Sequence, residues 1–145
     1  MKFKLPVSIL ALVHTAEGEV LLLERALRRG FWQSVTGSLD RLDEPLGQAA
    51  AREVLEETGI AAARGRLMRW NVVYTFEIHA QWRHRFAPGA GQNVEHVFAL
   101  ELPQRCPVRL AAEEHLAFVW LPWREAAARC FSWSNRDAIL MLGER

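Results

Sequence analysis

The chain has 145 residues, 50% of them hydrophobic and six of them tryptophan, which suits one domain, 1–145, with enough apolar mass for a core. Its formal net charge of +1 gives no bulk attraction to nucleic acid or to an anionic membrane surface. Cys106 and Cys130 have no metal-ligand spacing and read as reduced thiols of a cytoplasmic protein.

Lys2 and Lys4 precede an apolar run that imitates a short signal peptide, but Pro6 interrupts it and no small-residue cleavage pattern follows. A hairpin fits better: strands over residues 7–14 and 20–25, joined at the polar turn Ala16, Glu17, Gly18 and Glu19. No stretch is long enough to cross a membrane. Residues 31–36 read as a short extended segment. A helix is expected over 44–58, because Pro45 suits a first turn and Leu46, Ala50 and Val54 recur every four residues. Gly59 should end it as a left-handed cap. Strands over 72–78 and 96–102 flank a basic loop, Arg83 to Gly91. A further strand covers 115–121, and helices cover 123–130 and 135–142. Strands and helices mix without strict alternation, which predicts an α/β (α+β) fold with a mixed sheet covered by helices.

One helix breaks the rules of helix stability. At roughly 100° per residue, Glu53, Glu56 and Glu57 fall within about a 100° arc, where like charges repel. Glu56 and Glu57 also occupy the last turn, where the helix dipole disfavours negative charge. Glu-Glu alone reads as a solvated helix face. Clustered carboxylates that violate local stability also suit a bound Mg²⁺ or Mn²⁺.

The wider pattern decides between these readings. Gly37, Glu44, and then Arg52, Glu53, Glu56, Glu57 and Gly59 resemble the Nudix box. Its second half matches without exception. Six residues separate Gly37 from Glu44, where the family usually has five. Either the loop carries an insertion or Asp43 takes the glutamate's place. The resemblance implies an α/β/α sandwich with the box as loop-helix-loop. It also implies metal-dependent hydrolysis of a phosphoanhydride, in which divalent cations neutralise the phosphates and lower the pKa of a bound water. Arg52, Glu53, Glu56 and Glu57 would form the catalytic set. Glu53 and Glu57 are the firmest metal ligands, Glu56 is a third ligand or a bridge, and Arg52 orients a carboxylate.

Segments outside the box narrow the resemblance. Residues 6–9, 31–38, 83–89, 114–117 and 132–136 are similar to the bacterial dihydroneopterin triphosphate diphosphatases, from about Lys4 to Ile139. That family converts 7,8-dihydroneopterin triphosphate to the monophosphate and pyrophosphate in folate synthesis. The resemblance makes Glu114 a further metal ligand, against the plainer reading of a solvated loop carboxylate beside Glu113. It places Lys4, Arg25, Thr36, Phe76, Glu77, Ile78, His79 and Ser132 at substrate-contacting positions. Lys4 and Arg25 suit phosphate oxygens, and acceptors in 76–79 suit the pterin's N–H groups. Phe76 or Trp133 could stack on the ring, and Trp133 reads equally well as core. His84 reads as a solvated loop histidine. Arg83 and Arg85 sit in a long loop bracketed by Pro88, Gly89 and Gly91, which favours a phosphate-facing lid. The substrate is a small-molecule triphosphate, and no oligomeric state is implied. Two other functions compete: a general (d)NTP pyrophosphohydrolase that cleanses nucleotide pools, and a non-catalytic nucleotide-binding regulator. The intact carboxylates of the box count against the second.

Overall fold

The structure is a computed structural model that describes residues 3–144, so Lys2 and the outermost residues of the expected 1–145 domain lie outside it. The described chain runs through β1 (Val7–Thr15), β2 (Glu19–Arg25), β3 (Trp32–Gln33) and β4 (Val35–Ser38), then helix α1 (Leu46–Thr58). β5 (Arg66–Glu77), β6 (Gln92–Leu102) and β7 (His115–Pro122) follow, and then α2 (Trp123–Arg129) and α3 (Trp133–Leu142).

β1 is the centre of a mixed sheet. It runs parallel to β6 over its full length, with Ser8 opposite Glu95 and Leu10 opposite Val97. β5 closes that side, antiparallel to β6. On the other side β1 changes partner: β4 pairs with it from Ser8 to Ala11, and β2 meets it at His14 opposite Val20. β2 then carries β3 and β7 as its own neighbours.

The period of two along β1 assigns the two layers. Ile9, Ala11 and Val13 pack with Ala49, Ala50 and Val54 of α1. Leu10 and Leu12 pack with Ala126 and Ala127 of α2 and Ala138 and Ile139 of α3. Each fully buried Val, Leu or Ile contributes about 1.5–3 kcal/mol of transfer free energy. The expected α/β/α sandwich with a mixed sheet is therefore present.

The hairpin forms with Gly18 at φ 91°, and Gly59 caps α1 at φ 75°, donating to the Leu55 carbonyl at 2.9 Å. Boundaries differ from the sequence reading where the backbone does something irregular. α1 starts at Leu46 rather than at Glu44, because Pro45 is extended (ψ 134°) and only its carbonyl joins the helix, accepting from the Ala49 N–H at 3.0 Å. α3 starts at Trp133, two residues early, because the Ser132 hydroxyl caps the Asn135 N–H. β5 starts at Arg66, six residues early, since the strand continues through a register shift where Asn71 takes φ 58°. β6 starts at Gln92, four residues early. The extended segment 31–36 divides at Ser34, whose N–H is taken by Asn135 Oδ1 at 2.7 Å instead of by a strand.

Candidate active site

Arg52 organises the start of the site. Its Nε and Nη2 donate to the two oxygens of Glu44 at 2.9 and 3.1 Å. Its Nη1 donates to Glu53 Oε1 at 2.8 Å and more weakly to Glu56 Oε2 at 3.4 Å. Glu44 is buried and also accepts from the Asp40 N–H at 2.8 Å. Asp43 is exposed and pairs with Arg41. Glu44, not Asp43, is therefore the carboxylate tied to the box arginine, and the longer loop closes with Asp43 in solvent. The Arg52 hydrogen bonds hold the Glu44 carboxyl below the usual carboxylate range. Glu44→Ala should destabilise the fold by about 1–3 kcal/mol at neutral pH. A carboxyl whose folded pKa is depressed stabilises above its unfolded pKa and loses that contribution as pH falls through the folded value. The wild-type advantage in urea denaturation should accordingly shrink as acid protonates Glu44.

Glu53 and Glu57 lie one turn apart on α1, with their carboxyls close enough for each to shift the proton affinity of the other. Glu57 is 2% exposed. Burial raises both carboxyls, most strongly that of Glu57, which also feels the negative charges of Glu53, Glu114 and Glu56. Gly37 of β4 makes room for Glu53: a Cβ on Gly37 would fall 2.1 Å from the Glu53 Cδ. His115, at the start of β7, brings its Nε2 to 3.6 Å from Glu57 Oε1. Burial, and secondarily Arg25, push that imidazole down to about 4, so it is neutral at pH 7. One ligand atom each of Glu57, Glu114 and His115 lie within 4.8 Å of one another.

These carboxylates form one wall of a cavity of about 460 Å³, with Lys4, Arg25 and Arg85 among its other lining residues. Burial and the neighbouring Arg85 and Arg25 guanidiniums hold the Lys4 ammonium below its usual range. The Lys4 N–H also donates to the Arg85 carbonyl at 2.7 Å, tying the start of the chain to the basic loop. Anion-binding cations thus line the same cavity as cation-binding carboxylates, an arrangement suited to a polyphosphate and its counter-ion.

A second cavity, of about 370 Å³, adjoins the first and shares Lys4, Gln33, Thr36, Gly37 and Ser38 with it. Its walls are Phe76 to His79, Trp82, Phe86, Phe131 and the first turn of α3. It can admit a flat bicyclic ring.

Residues 4–142 match the NUDIX domain family. The chain belongs to that family. This Nudix chain is 44% identical over 140 residues to the dihydroneopterin triphosphate diphosphatase of Escherichia coli strain K12, an alignment covering 94% of this chain and 91% of that protein. It is 33% identical over 143 residues to the Haemophilus influenzae protein of the same name, covering 96% and 88%. The structure of the E. coli dihydroneopterin triphosphate pyrophosphohydrolase superposes with a TM-score of 0.86 at 43% identity, covering 96% of this chain and 95% of that one. The chain is a Nudix hydrolase of phosphate-containing small molecules, and enzymes of this family generally use a divalent metal.

The donors of this Nudix chain fit such a cation. Among the described residues Glu57 forms no ion pair with lysine or arginine, and oxygen donors clustered around this buried carboxylate suit a hard divalent ion. The structure brings Glu53, Glu57 and Glu114 together with Lys4, Arg25 and Thr36 in the charged cavity. It brings Phe76, Glu77, Ile78, His79 and Ser132 together in the second cavity. Glu56 stands apart, with its side chain 56% exposed and outside the lining of both cavities. The basic loop divides: Arg85 lines the charged cavity, while Arg83 braces the Ile78 carbonyl at 3.1 Å and His84 is exposed. Trp133 is 52% exposed at the cavity rim and meets Tyr74 edge-on, so it is not a core residue. Sequence reasoning missed His115 and Glu95, the latter a buried carboxylate lining the second cavity. The missed signal for Glu95 was a charge at an inward position of a strand whose next inward residues are Val97 and Ala99.

Proposed function

We propose that this chain hydrolyses 7,8-dihydroneopterin triphosphate to dihydroneopterin monophosphate and pyrophosphate, as a cytoplasmic Mg²⁺-dependent enzyme in which Mn²⁺ can substitute. The observation that carries this reading is a ring-sized cavity that shares Lys4, Thr36 and Gly37 with a cavity lined by Glu53, Glu57 and Arg25. Near end-to-end similarity to dihydroneopterin triphosphate diphosphatases supports the choice of substrate.

Glu53, Glu57 and Glu114 would hold the metal, with Glu56 as a peripheral member of the set. Bound there, the metal would offset phosphate charge and acidify water. The chain's own residues supply the rest. Arg52 fixes the Glu53 carboxylate through its 2.8 Å hydrogen bond. Lys4 and Arg25 bind phosphate oxygens, and Thr36 lies on β4 where the two cavities meet. Residues 76–79 and Ser132 surround the ring. The Ser132 hydroxyl already caps α3 and contacts the Ser134 hydroxyl at 3.0 Å, so it shapes the cavity more than it reads the ring.

Phosphorus NMR of the first turnover products tests the reaction. Pyrophosphate and a pterin monophosphate should appear together; orthophosphate as the sole primary product would contradict the mechanism. A separate titration tests Glu114. Glu114→Ala should weaken Mg²⁺ activation more than Glu113→Ala does, although both residues are exposed neighbours in the same turn. Equal titration curves would return Glu114 to a solvated loop.

A further inference from the structure

Glu95 occupies a place where a strand should be apolar. It shares a face of β6 with Val97 and Ala99, both fully buried, and is itself 6% exposed. Its register partners are Ser8 on β1 and Tyr74 on β5. Among the described residues no lysine or arginine pairs with it, and its hydrogen bond there is from the Ser134 hydroxyl to Oε1 at 3.0 Å. Burying a carboxylate with so little compensation is costly.

The neighbouring donors already make hydrogen bonds of their own. Asn93 Nδ2 donates to the Ser8 hydroxyl at 2.8 Å, and Asn135 Nδ2 to the Ser34 hydroxyl at 2.9 Å. The Tyr74 hydroxyl donates to Asp137 at 2.5 Å. Among the described residues Ser134 is the hydrogen-bond donor to the Glu95 carboxylate and reaches Oε1, which leaves Oε2 to a ligand. A ligand completes the carboxylate's hydrogen bonding by bringing two adjacent N–H donors. The 2-amino-4-oxo edge of a pterin or a guanine has that pair, in its ring N–H and exocyclic amine. The corresponding edge of adenine presents one donor beside a ring-nitrogen lone pair, which a carboxylate repels.

We propose that Glu95 is the residue that selects the ring: its carboxylate accepts from the ring N–H and the 2-amino group of a 2-amino-4-oxo heterocycle, with Ser134 positioning it. The inference rests on the reading above only in seating the substrate's ring in this cavity. Burial that raises the Glu95 carboxyl's proton affinity is offset when both donors arrive. Glu77, the carboxylate within the 76–79 segment, is exposed at the rim, where water competes for the same hydrogen bonds.

The test compares wild type with Glu95→Gln, a near-isosteric change, using dihydroneopterin triphosphate, dGTP, dITP and dATP. The three nucleotides carry the same sugar and triphosphate, so ratios among them report on the base alone. Glu95→Gln should lower kcat/KM for the pterin and for dGTP by about tenfold to a hundredfold, and hold or raise it for dATP, because the amide N–H can donate to the adenine ring nitrogen that a carboxylate repels. The dGTP to dITP ratio should collapse towards one. Ser134→Ala should move the same ratios in the same direction by less. Binding of unphosphorylated 7,8-dihydroneopterin, followed by its fluorescence without metal, should weaken in parallel with dGTP turnover. Unchanged ratios in both variants, or an equal loss on all four substrates, would overturn the assignment. Slow turnover of the pterin by the wild-type chain, with intact dGTP to dATP discrimination that Glu95→Gln removes, would instead count against the pterin reading and leave Glu95 as a guanine selector.

Discussion

Glu57→Gln is expected to lower kcat by several orders of magnitude while raising the melting temperature of the metal-free protein. The two effects have one cause. Glu57 is buried beside Glu53 and within reach of Glu114 and His115, and burial and repulsion hold its carboxyl well above the usual range. The folded metal-free chain therefore binds a proton there more tightly than the unfolded chain does. By linkage, stability falls as pH rises through the window above the unfolded carboxylate value. Glutamine keeps the shape and removes the charge, so the variant should lose that pH dependence and gain most at neutral pH and above. The same neutral amide is a poor substitute for a charged ligand to a hard divalent ion. Thermal denaturation in chelator across pH, beside turnover in saturating Mg²⁺, separates the two. Near-wild-type turnover would remove Glu57 from the proposed ligand set.

Gly37→Ala should split activity from stability in a different way. The added Cβ would meet Glu53 at 2.1 Å from Cδ and within 2.5 Å of both oxygens. Those atoms end a flexible side chain, so the backbone can stay in place and the fold should survive with a small change in melting temperature. The carboxylate cannot stay. Displacement of about an ångström at a reacting centre costs on the order of a hundredfold in rate, and it would also strain the 2.8 Å hydrogen bond from Arg52. A kcat loss of roughly that size with normal unfolding is the expected result. Wild-type kcat would mean that Glu53 need not occupy the position it holds here.

What was legible in the sequence follows from what kind of signal each element carries. α1 was plain because three independent signals agree there: an apolar residue every fourth position, a proline at its start and a glycine cap at its end. Its clustered carboxylates were legible for the opposite reason, as a local rule broken. The strands were legible in their middles and not at their ends. β5 passes through a bulge at Asn71, which interrupts the alternation that marks a strand. The reading of β6 began at His96 and so stopped one residue short of Glu95, leaving a buried carboxylate outside the strand that buries it. That Glu95 is buried while Glu77 is exposed is not decided locally; it depends on how β5, β6 and α3 meet. The loop after Gly37 was ambiguous for the same reason, since only the path of residues 38–44 decides that Glu44 and not Asp43 reaches Arg52. His115 carried no spacing signal, because its neighbours Glu57 and Arg25 come from α1 and β2.

The two adjoining cavities are proposed to accept one pterin triphosphate between them. The most direct test is kcat/KM for 7,8-dihydroneopterin triphosphate against dGTP and dATP, in one assay with saturating Mg²⁺. The pterin should be turned over most efficiently, dGTP less well because it shares the 2-amino-4-oxo edge, and dATP least. A dATP rate far above the pterin rate would contradict the account and favour a nucleotide-pool hydrolase.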